Sequence, residues 1–237
     1  MANRGQKKHM KRLATPKAVP IRDKKARTWI IQPSPGPHPK KSCMALGVLL
    51  RDILKVASNL AEVRQILSNR MVQVDGAVRT DEKFPVGLMD VISFEKSGKH
   101  YRIVVDGKGR LKVEEVKKDD ASKKLLRIVK KHTAPGGKIT YTFHDGRNML
   151  GDNHLKVGDS ILVSLPKADM KGHLKRDKGA ICLVVEGKHA GTVVKLKDII
   201  KRAGGKPPEA LVQHDKDEFI TVAKYLFVVD DKFGGAG

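Results

Sequence analysis

Apolar and polar residues follow a helical period in one part of the chain and a strand period in most of the rest. From Leu46 to Leu54, apolar residues recur every three or four positions, which predicts a helix with one buried stripe. Ser58 or Asn59 can cap a second helix, whose core face would carry the apolar residues that recur from Leu60 to Leu67. Two amphipathic helices are therefore expected in close succession.

The pattern changes to alternation directly after the second helix. Asn69-Arg70 is expected to end that helix, and the valines at positions 72, 74 and 78 alternate around Asp75-Gly76, which favours a hairpin with a tight turn. Val86 and the run from Val91 to Phe94 predict the closing strands. These elements form two helices against a small sheet, with the corner between helix and hairpin exposed.

Short strands dominate from Glu95 to Leu165. Residues 101–105 and 111–113 flank a turn with two glycines, and residues 138–143 and 160–165 also alternate like strands. Between them, Asp120 is expected to cap a basic helix from Ser122 to Lys131. Its expected inward residues are Leu125, Leu126 and Val129, and its expected outward residues are Lys123, Lys124, Arg127, Lys130 and Lys131. The pattern predicts a small β-barrel-like domain that carries one helix.

The last third begins with a polar linker from Lys171 to Arg176. Two apolar runs, at residues 180–185 and 192–194, are joined by a tight turn whose glycines permit unusual backbone angles and close approach to a partner. Residues 218–222 and 225–229 would close a second barrel. The turn is either a plain hairpin scaffold or, as we favour, presents Lys188 and His189 to a partner.

Composition makes nucleic acid the expected partner. The chain has 237 residues with 40% apolar composition, enough for two or three small cores, and its formal net charge is +22 with a pI near 10.0. A protein of the membrane surface would need a long amphipathic helix, which no stretch offers, and no apolar run is long enough to span a membrane. The N-terminus lacks the apolar region of a secretory signal.

Cysteine and aromatic usage narrow the class further. Cys43 and Cys182 lie far apart without metal-ligand spacing, so we expect a reduced, cytoplasmic protein without structural zinc. Aromatic residues make up only 4% of the chain, which favours recognition of folded RNA by shape and phosphates over rows of stacked bases. No nucleotide-binding or hydrolase motif occurs, so neither an enzyme nor a cofactor is expected.

The central region contains residue types that could bind a metal ion. The candidate ligands fall close together in the sequence; they are His144, Asp145, Asp152, His154 and Asp159. They stand in a Gly- and Asn-rich loop, where such residues favour turn hydrogen bonds for reasons unrelated to metals. No metal ligand is therefore predicted.

The N-terminal region concentrates the positive charge. Residues 1–41 contain 12 Lys and Arg against one acidic residue, Asp23, and many prolines. With so few large apolar residues, this region is expected to be disordered alone and to become ordered only on RNA. Its single apolar cluster, Trp29-Ile30-Ile31, is expected to dock on the protein body or on RNA.

Several of these stretches resemble known families. Residues 62–94 resemble the small RNA-binding module named after ribosomal protein S-four. Residues 5–12, 33–38, 75–81 and 87–93 resemble the archaeal and eukaryotic S-four-e family of small-subunit ribosomal proteins, and we expect an archaeal member. Residues 178–194 resemble the KOW motif of SH3-like barrels. The module departs from its relatives at Met89-Asp90, where they usually carry Gly-Asp, and its second helix has fewer arginines.

The resemblance implies an α+β multidomain protein. We expect a basic RNA-binding extension at residues 1–41, an S-four-type α/β module at 42–95, a central β-barrel-like domain with one helix at 96–170, and an SH3-like KOW domain at 171–237. The implied function is that of a structural constituent of the small ribosomal subunit, located in the cytoplasm. Its expected partners are small-subunit rRNA and neighbouring small-subunit proteins, with neither a membrane nor a small-molecule substrate.

The residues expected to contact RNA are cations, one amide and one histidine of the extension, the module and the KOW turn. They are Arg4, Lys7, Lys8, Lys11, Arg12, Lys17, Lys24, Lys25, Lys40, Lys41, Arg51, Arg64, Asn69, Arg70, Arg79, Lys188 and His189. Two rival functions remain at this point. A pseudouridine synthase would need a large catalytic domain for which the chain leaves no room, and a KOW-bearing transcription factor would not explain the extension or the module.

Overall fold

The computed structural model describes residues 9–230 except positions 22, 168, 203 and 216. Within these residues the protein is mostly β, with few helices. Three antiparallel five-stranded sheets follow one another along the chain, and two further two-stranded pairings lie beside the first of them. No helix of the described residues is long and apolar enough to cross a membrane.

The first sheet belongs to the predicted helix-and-hairpin module. Its strands and those that flank it are β1 Met10–Lys11, β2 Trp29–Ile30, β3 Met44–Ala45, β4 Val72–Val74, β5 Ala77–Val78, β6 Pro85–Val86, β7 Val91–Phe94, β8 His100–Val105 and β9 Leu111–Val116. The order within the sheet is β5-β4-β7-β8-β9, and β3 pairs with β6. The sheet therefore continues past the predicted boundary between residues 95 and 96.

The helices of this module form where the apolar spacing predicts them. Helix α1 spans Leu46–Val48 and continues as a π-helical turn over Leu49–Ile53, and α2 spans Leu60–Ser68. The Asn59 side chain accepts a hydrogen bond from the backbone N–H of Glu62, so the predicted cap is confirmed. The predicted hairpin around Asp75-Gly76 is confirmed as well, because β4 and β5 pair across it.

The central sheet replaces a predicted helix with a strand. After the short helix α3, Lys118–Ala121, the strands are β10 Lys123–Thr133, β11 Ile139–Phe143, β12 Asn148–Gly151, β13 Ser160–Ser164 and β14 Asp169–Leu174. The predicted helix over Ser122–Lys131 is therefore wrong. Strand β10 pairs with both β11 and β13, and this central position buries apolar residues on both of its faces.

This sheet curls so that its edges approach each other. The strand order is β12-β11-β10-β13-β14, and a Cβ built on Gly151 of β12 would lie 3.6 Å from Met170 Cε of β14. Tyr141 and Phe143 lie in the core that the sheet encloses. The polar linker predicted over Lys171–Arg176 is wrong for its first part, because residues up to Leu174 form β14 and pair with β13.

The C-terminal sheet contains the two predicted apolar runs. Its strands are β15 Ile181–Val184, β16 Val193–Ile200, β17 Glu209–His214, β18 Asp217–Val222 and β19 Leu226–Val228, in the order β18-β17-β16-β15-β19. Strand β17 was not predicted. Apolar and polar residues alternate over only a few positions of this strand, so it is recognisable only from its pairing with both β16 and β18.

The N-terminal extension packs on the module. The apolar side chains of Met10, Val19, Ile21 and Ile30 are buried in the same core as the module's helices. The disorder predicted for the isolated extension is therefore wrong for the described residues from 9 to 41. These apolar residues are few and irregularly spaced, so the sequence does not reveal that a neighbouring unit completes their core.

The turn between β15 and β16 contacts the module directly. Gly191 has a positive φ of 84°, and a Cβ added to it would lie 1.9 Å from the carbonyl oxygen of Asp106, in the turn between β8 and β9. Gly187, in the same turn, has a φ of 101° but its nearest neighbour would be the Tyr225 ring at 3.6 Å. Of the two glycines in this turn, only Gly191 is required by close backbone approach.

The substitution Gly191→Ala should separate this turn from the module. Both the positive φ and the clash with a backbone oxygen oppose the new methyl group, so we expect a loss of about 1–3 kcal/mol in the free energy of unfolding. Gly187→Ala meets only the backbone strain and is the matched control. Chemical denaturation of both variants measures the difference, and equal losses would show that the contact with Asp106 contributes nothing.

Candidate nucleic-acid interface

The corner between α2 and the first hairpin is exposed, as the sequence predicts. Asn69 caps the C-terminus of α2, and Arg70 follows with a positive φ of 57°, which turns the chain sharply towards β4. Both side chains are exposed. Arg64 lies on the outer face of α2 and donates two hydrogen bonds to the Glu82 carboxylate, at 2.6 and 3.0 Å. The three residues place two cations and an amide at exposed positions of α2 and of the turn that follows it.

The Glu82 carboxylate fixes the position of the Arg64 guanidinium without burying it. The hydrogen bond from Arg64 lowers the pKa of Glu82, and the same bond raises the pKa of Arg64. The Arg64 side chain nevertheless keeps 62% of its surface exposed. Its fixed planar group is available to phosphate oxygens on the side away from the carboxylate.

Arg79 lies over a cavity between the module and the central domain. Its guanidinium carbon is 4.4 Å from the centroid of the Phe84 ring, and its buried Nε has no hydrogen-bond partner among the described residues. The cavity has a volume of about 240 Å³, and Asp145 and Arg147 of the central domain line its far side. Arg79 is therefore the half-buried member of the predicted contact set.

Cations of the N-terminal extension divide into exposed and structural ones. The exposed ones among the predicted contacts are Lys11, Lys17, Lys25, Lys40 and Lys41, and Arg27 is exposed as well. Lys24 Nζ donates to the Thr15 carbonyl oxygen at 3.1 Å. Arg12 is only 7% exposed and donates from Nε to the Asp23 carbonyl oxygen at 2.7 Å, while Arg51 is paired with Asp52 at 2.8 Å. Arg4, Lys7 and Lys8 lie outside the described residues.

The two residues predicted to contact RNA from the C-terminal turn also differ in exposure. Lys188 is exposed. His189 is half-buried because its ring stacks on Phe219 of β18, with centroids 4.1 Å apart and planes 23° apart. Whether these two residues contact RNA stays a prediction, as it does for the rest of the set.

A buried ion cluster lies behind the interface, and the sequence does not predict it. Lys124 of β10 has no exposed surface; its Nζ lies 2.6 Å from Asp75 Oδ2, 2.6 Å from Asp90 Oδ1 and 3.3 Å from Asp145 Oδ2. Arg147 adds a second cation, 2.8 Å from Asp75 and 3.1 Å from Asp145. The cluster joins the first hairpin and the residue before β7 to strand β10 and to the turn between β11 and β12 of the central sheet.

The extension reaches the same cluster through His38. Its Nε2 lies 2.9 Å from Asp90 Oδ2, and its ring packs so closely on Gly87 that a Cβ there would lie 2.5 Å away. Asp90 Oδ2 also accepts the backbone N–H of Gly87 at 2.9 Å. Three separate parts of the chain therefore share one set of charges.

The ionisable groups of the Lys124 cluster shift one another's pKa values. Burial alone would lower the pKa of Lys124, but the attraction of Asp90 and Asp75 outweighs it and raises that pKa. Burial alone would raise the pKa of Asp90, yet Lys124 and His38 lower it below its ordinary value. Burial and the charge of Asp90 raise the pKa of Asp75. Lys124 is thus held charged between carboxylates that repel each other.

His144, next to the cluster, is held neutral. Its Nδ1 accepts the backbone N–H of Arg127 and its Nε2 faces the Leu88 carbonyl oxygen, both at 3.2 Å, which assigns the proton to Nε2. Burial and the charge of Lys124 lower the pKa of His144 to about 3. A second proton on Nδ1 would also oppose the N–H of Arg127.

This arrangement should make folding sensitive to acid. The pKa of His144 is lower in the folded protein than the ordinary value of 6.5, so the unfolded chain binds the extra proton first. His144 should therefore destabilise the fold progressively as pH falls from 6.5 towards about 3, by up to about 1.4 kcal/mol per pH unit, with no effect above that window. Urea unfolding at several pH values should show a flatter decline for His144→Gln; an unchanged slope would contradict this assignment.

The candidate metal ligands of the central region lie in different surroundings. Asp145 belongs to the Lys124 cluster and His144 lies next to it, whereas Asp159 is hydrogen-bonded to His173, with 2.9 Å between Oδ2 and Nε2. Across the part of the chain that the structure describes, no group of three or more His, Cys, Asp or Glu side chains is placed to hold a metal ion. Both cysteines are buried, which raises the pKa of Cys43 to about 11 and that of Cys182 to about 12.

The fold and the basic surface define an S4-domain protein of the ribosomal type. The S4 domain model matches residues 48–92, the RS4NT (NUC023) domain model matches residues 4–41, and the model of ribosomal family S4e matches residues 97–170. The S4 match covers the π-helical turn after α1, helix α2, strands β4 to β6 and the first half of β7. The cations discussed above stand mainly in the first two of these segments.

Whole-chain relatives agree with these matches. Small ribosomal subunit protein eS4 of Methanosphaera stadtmanae is 40% identical over 229 residues, which covers 97% of this chain and 95% of the relative. The protein of the same name from Archaeoglobus fulgidus is 41% identical over 224 residues, with 94% of each chain covered. The chain belongs to the eS4 family of small ribosomal subunit proteins, a family of structural ribosomal proteins rather than enzymes.

A solved structure has the same fold. The crystal structure of 30S ribosomal protein S4e from Thermoplasma acidophilum superposes with a TM-score of 0.69 at 32% identity, covering 81% of this chain and 97% of that one. The resemblance expected from residues 5–12, 33–38, 75–81 and 87–93 is thereby confirmed, and the relatives cited are all archaeal.

Proposed function

We propose that this protein is a structural constituent of the small ribosomal subunit that binds folded small-subunit rRNA and supports subunit assembly and translation. The observation that carries the proposal is the family membership. The S4 domain supports it, since its exposed corner displays Arg64, Asn69 and Arg70. The net charge of +22 supports a polyanionic partner. Neighbouring small-subunit proteins and a cytoplasmic location belong to the same proposal.

The proposed division of labour follows the proposed domains. The extension at residues 1–41 would supply affinity through its exposed lysines, which neutralise phosphates without reading sequence. The module at residues 42–95 would fix register through shape and 2′-OH contacts. The Lys124 cluster would hold the module at a constant angle to the central domain at 96–170, so that both units meet the RNA as one surface.

The C-terminal unit is proposed to be an SH3-like KOW domain at residues 171–237. Its five antiparallel strands and the glycine turn between β15 and β16 support this proposal. The Ala190-Gly191 side of that turn contacts the turn between β8 and β9, since a Cβ on Gly109 would lie 3.2 Å from Ala190. Lys188 lies exposed on the other side of the turn, where it would contact rRNA or a neighbouring protein.

Co-sedimentation tests the proposed function. The purified protein is mixed separately, in moderate salt, with small ribosomal subunits from which it has been removed, with intact large subunits as the control, and with RNA polymerase. We expect stable recovery with the small subunit only. Recovery with RNA polymerase alone would favour the transcription-factor alternative, and recovery with neither particle would contradict the proposal.

A further inference from the structure

The single tryptophan of the chain, Trp29, lies on the outer face of the N-terminal strand pair. In the antiparallel register of β1 and β2, Met10 lies opposite Ile30 and Lys11 lies opposite Trp29. Met10 and Ile30 are both buried in the main core. Because side chains alternate between the faces of a strand, Lys11 and Trp29 share the opposite, solvent-facing side.

This outer face combines an exposed ring with an unengaged cation. The Trp29 side chain is 57% exposed, an unusual state for the largest aromatic residue. The His9 ring approaches one side of the indole, with centroids 5.8 Å apart and planes tilted by 57°. Lys11 is exposed, and among the described residues its ammonium group forms neither a hydrogen bond nor an ion pair.

We propose that an unpaired nucleobase of the rRNA stacks on Trp29 while Lys11 binds the adjoining phosphate. A nucleotide offers the two complementary groups together, a flat π face and an anion, and base stacking on an aromatic ring beside a cation is the usual way that unpaired bases are held. This inference rests on the proposed function and assigns a base contact to a segment whose other candidate contacts are phosphate contacts.

The neighbouring charges favour a nucleotide over an apolar protein surface. Directly opposite residues of an antiparallel pair have Cβ atoms roughly 5 Å apart, so a partner that covers the indole also covers the Lys11 ammonium. An apolar protein pocket would bury that charge without an anion, which is costly. Within the cluster Trp29-Ile30-Ile31, Ile30 is therefore buried against the protein body, and the exposed Trp29 is available to RNA.

Tryptophan fluorescence tests the inference without a label, because the chain contains only one tryptophan. The full-length protein is titrated with purified, protein-free small-subunit rRNA. We expect quenched Trp29 emission and protection from acrylamide. Trp29→Ala should weaken rRNA binding on the order of ten-fold, and Trp29→Phe should recover part of that loss. Leu150→Ala is the matched control, because Leu150 is 58% exposed on the central sheet, and it should bind as the wild type does.

The outcomes separate the two proposals. If rRNA binds but the emission, the acrylamide protection and the Trp29→Ala affinity stay unchanged, the stacked base is ruled out and the proposed function stands. If residue-resolved oxidative footprinting finds Trp29 protected only in assembled subunits and not on naked rRNA, its partner is a protein and the inference is overturned. If the wild type does not bind rRNA at all, both proposals fail. Thermal unfolding of Trp29→Ala should match the wild type, since the ring is exposed.

Discussion

Replacing Lys124 with methionine is expected to lower the free energy of unfolding by about 3–5 kcal/mol. Methionine has a similar length, so the loss comes from charge rather than from a cavity. Without the ammonium group, Asp75, Asp90 and Asp145 face one another in the interior, with Arg147 as the remaining cation and the His38 ring as a hydrogen-bond partner of Asp90. Chemical denaturation at neutral pH measures the effect.

Two further variants identify the cause of that loss. Lys130→Met changes the same residue type on the same strand, but Lys130 is exposed and its substitution should cost less than about 0.5 kcal/mol. Adding Asp75→Asn and Asp90→Asn to Lys124→Met removes the uncompensated charges and should restore part of the stability. A loss below about 1 kcal/mol for Lys124→Met alone would mean that water or bound protons already compensate the carboxylates.

Replacing three exposed lysines of the extension with glutamine is expected to weaken rRNA binding on the order of a hundred-fold at 0.15 M salt. The residues are Lys25, Lys40 and Lys41, all exposed and without ion-pair partners in the described part of the chain. Each phosphate contact that is lost should also reduce the slope of log affinity against log salt by roughly 0.9. Filter binding across a salt series therefore gives the number of contacts directly.

The control variant removes the same charge from a different surface. Lys178, Lys197 and Arg202 lie on or beside the C-terminal sheet, and each is paired with a carboxylate there. Glutamine at these three positions should leave the salt slope nearly unchanged, because the paired cations release few counterions on binding. If both triple variants lose affinity equally, the interaction responds to net charge alone and the extension has no special part in it.

The sequence predicts the module well because its signals are local. The cap at Asn59, the end of α2 at Asn69 and the turn at Asp75-Gly76 each depend on residues within a few positions. The helical spacing from Leu46 to Leu54 likewise survives as α1 and its π-helical continuation. The position of the exposed cations at the helix-to-hairpin corner follows from these elements.

The helix predicted over Ser122–Lys131 is wrong for a specific reason, and residues 123–131 belong to strand β10 instead. Leu125, Leu126 and Val129 fit one face of a helix, and Asp120 stands where a cap would. The same residues also fit a strand with both faces covered, for which period two is lost. Only the pairing with β11 and β13, which come later in the chain, decides between the two structures.

The buried cluster could not be predicted for a related reason. A lysine within a basic stretch is expected at the surface, since lysine is rarely buried unless it is paired. The partners of Lys124 stand 49 and 34 residues away, at Asp75 and Asp90. Two weak signals exist in hindsight: Lys124 is followed by two leucines, and Asp90 lies within an apolar run, so each is a charge in a segment that is otherwise buried.

A protein–RNA cross-linking map of the assembled small subunit, at nucleotide and residue resolution, tests the central claim most directly. The proposed function predicts cross-links to small-subunit rRNA from the exposed lysines of the extension and from the corner that contains Asn69 and Arg70. These two groups of cross-links should fall on neighbouring rRNA segments, because one core joins the extension to the module. Cross-links to rRNA from the C-terminal sheet alone, with the extension and the corner linked only to protein, would contradict it.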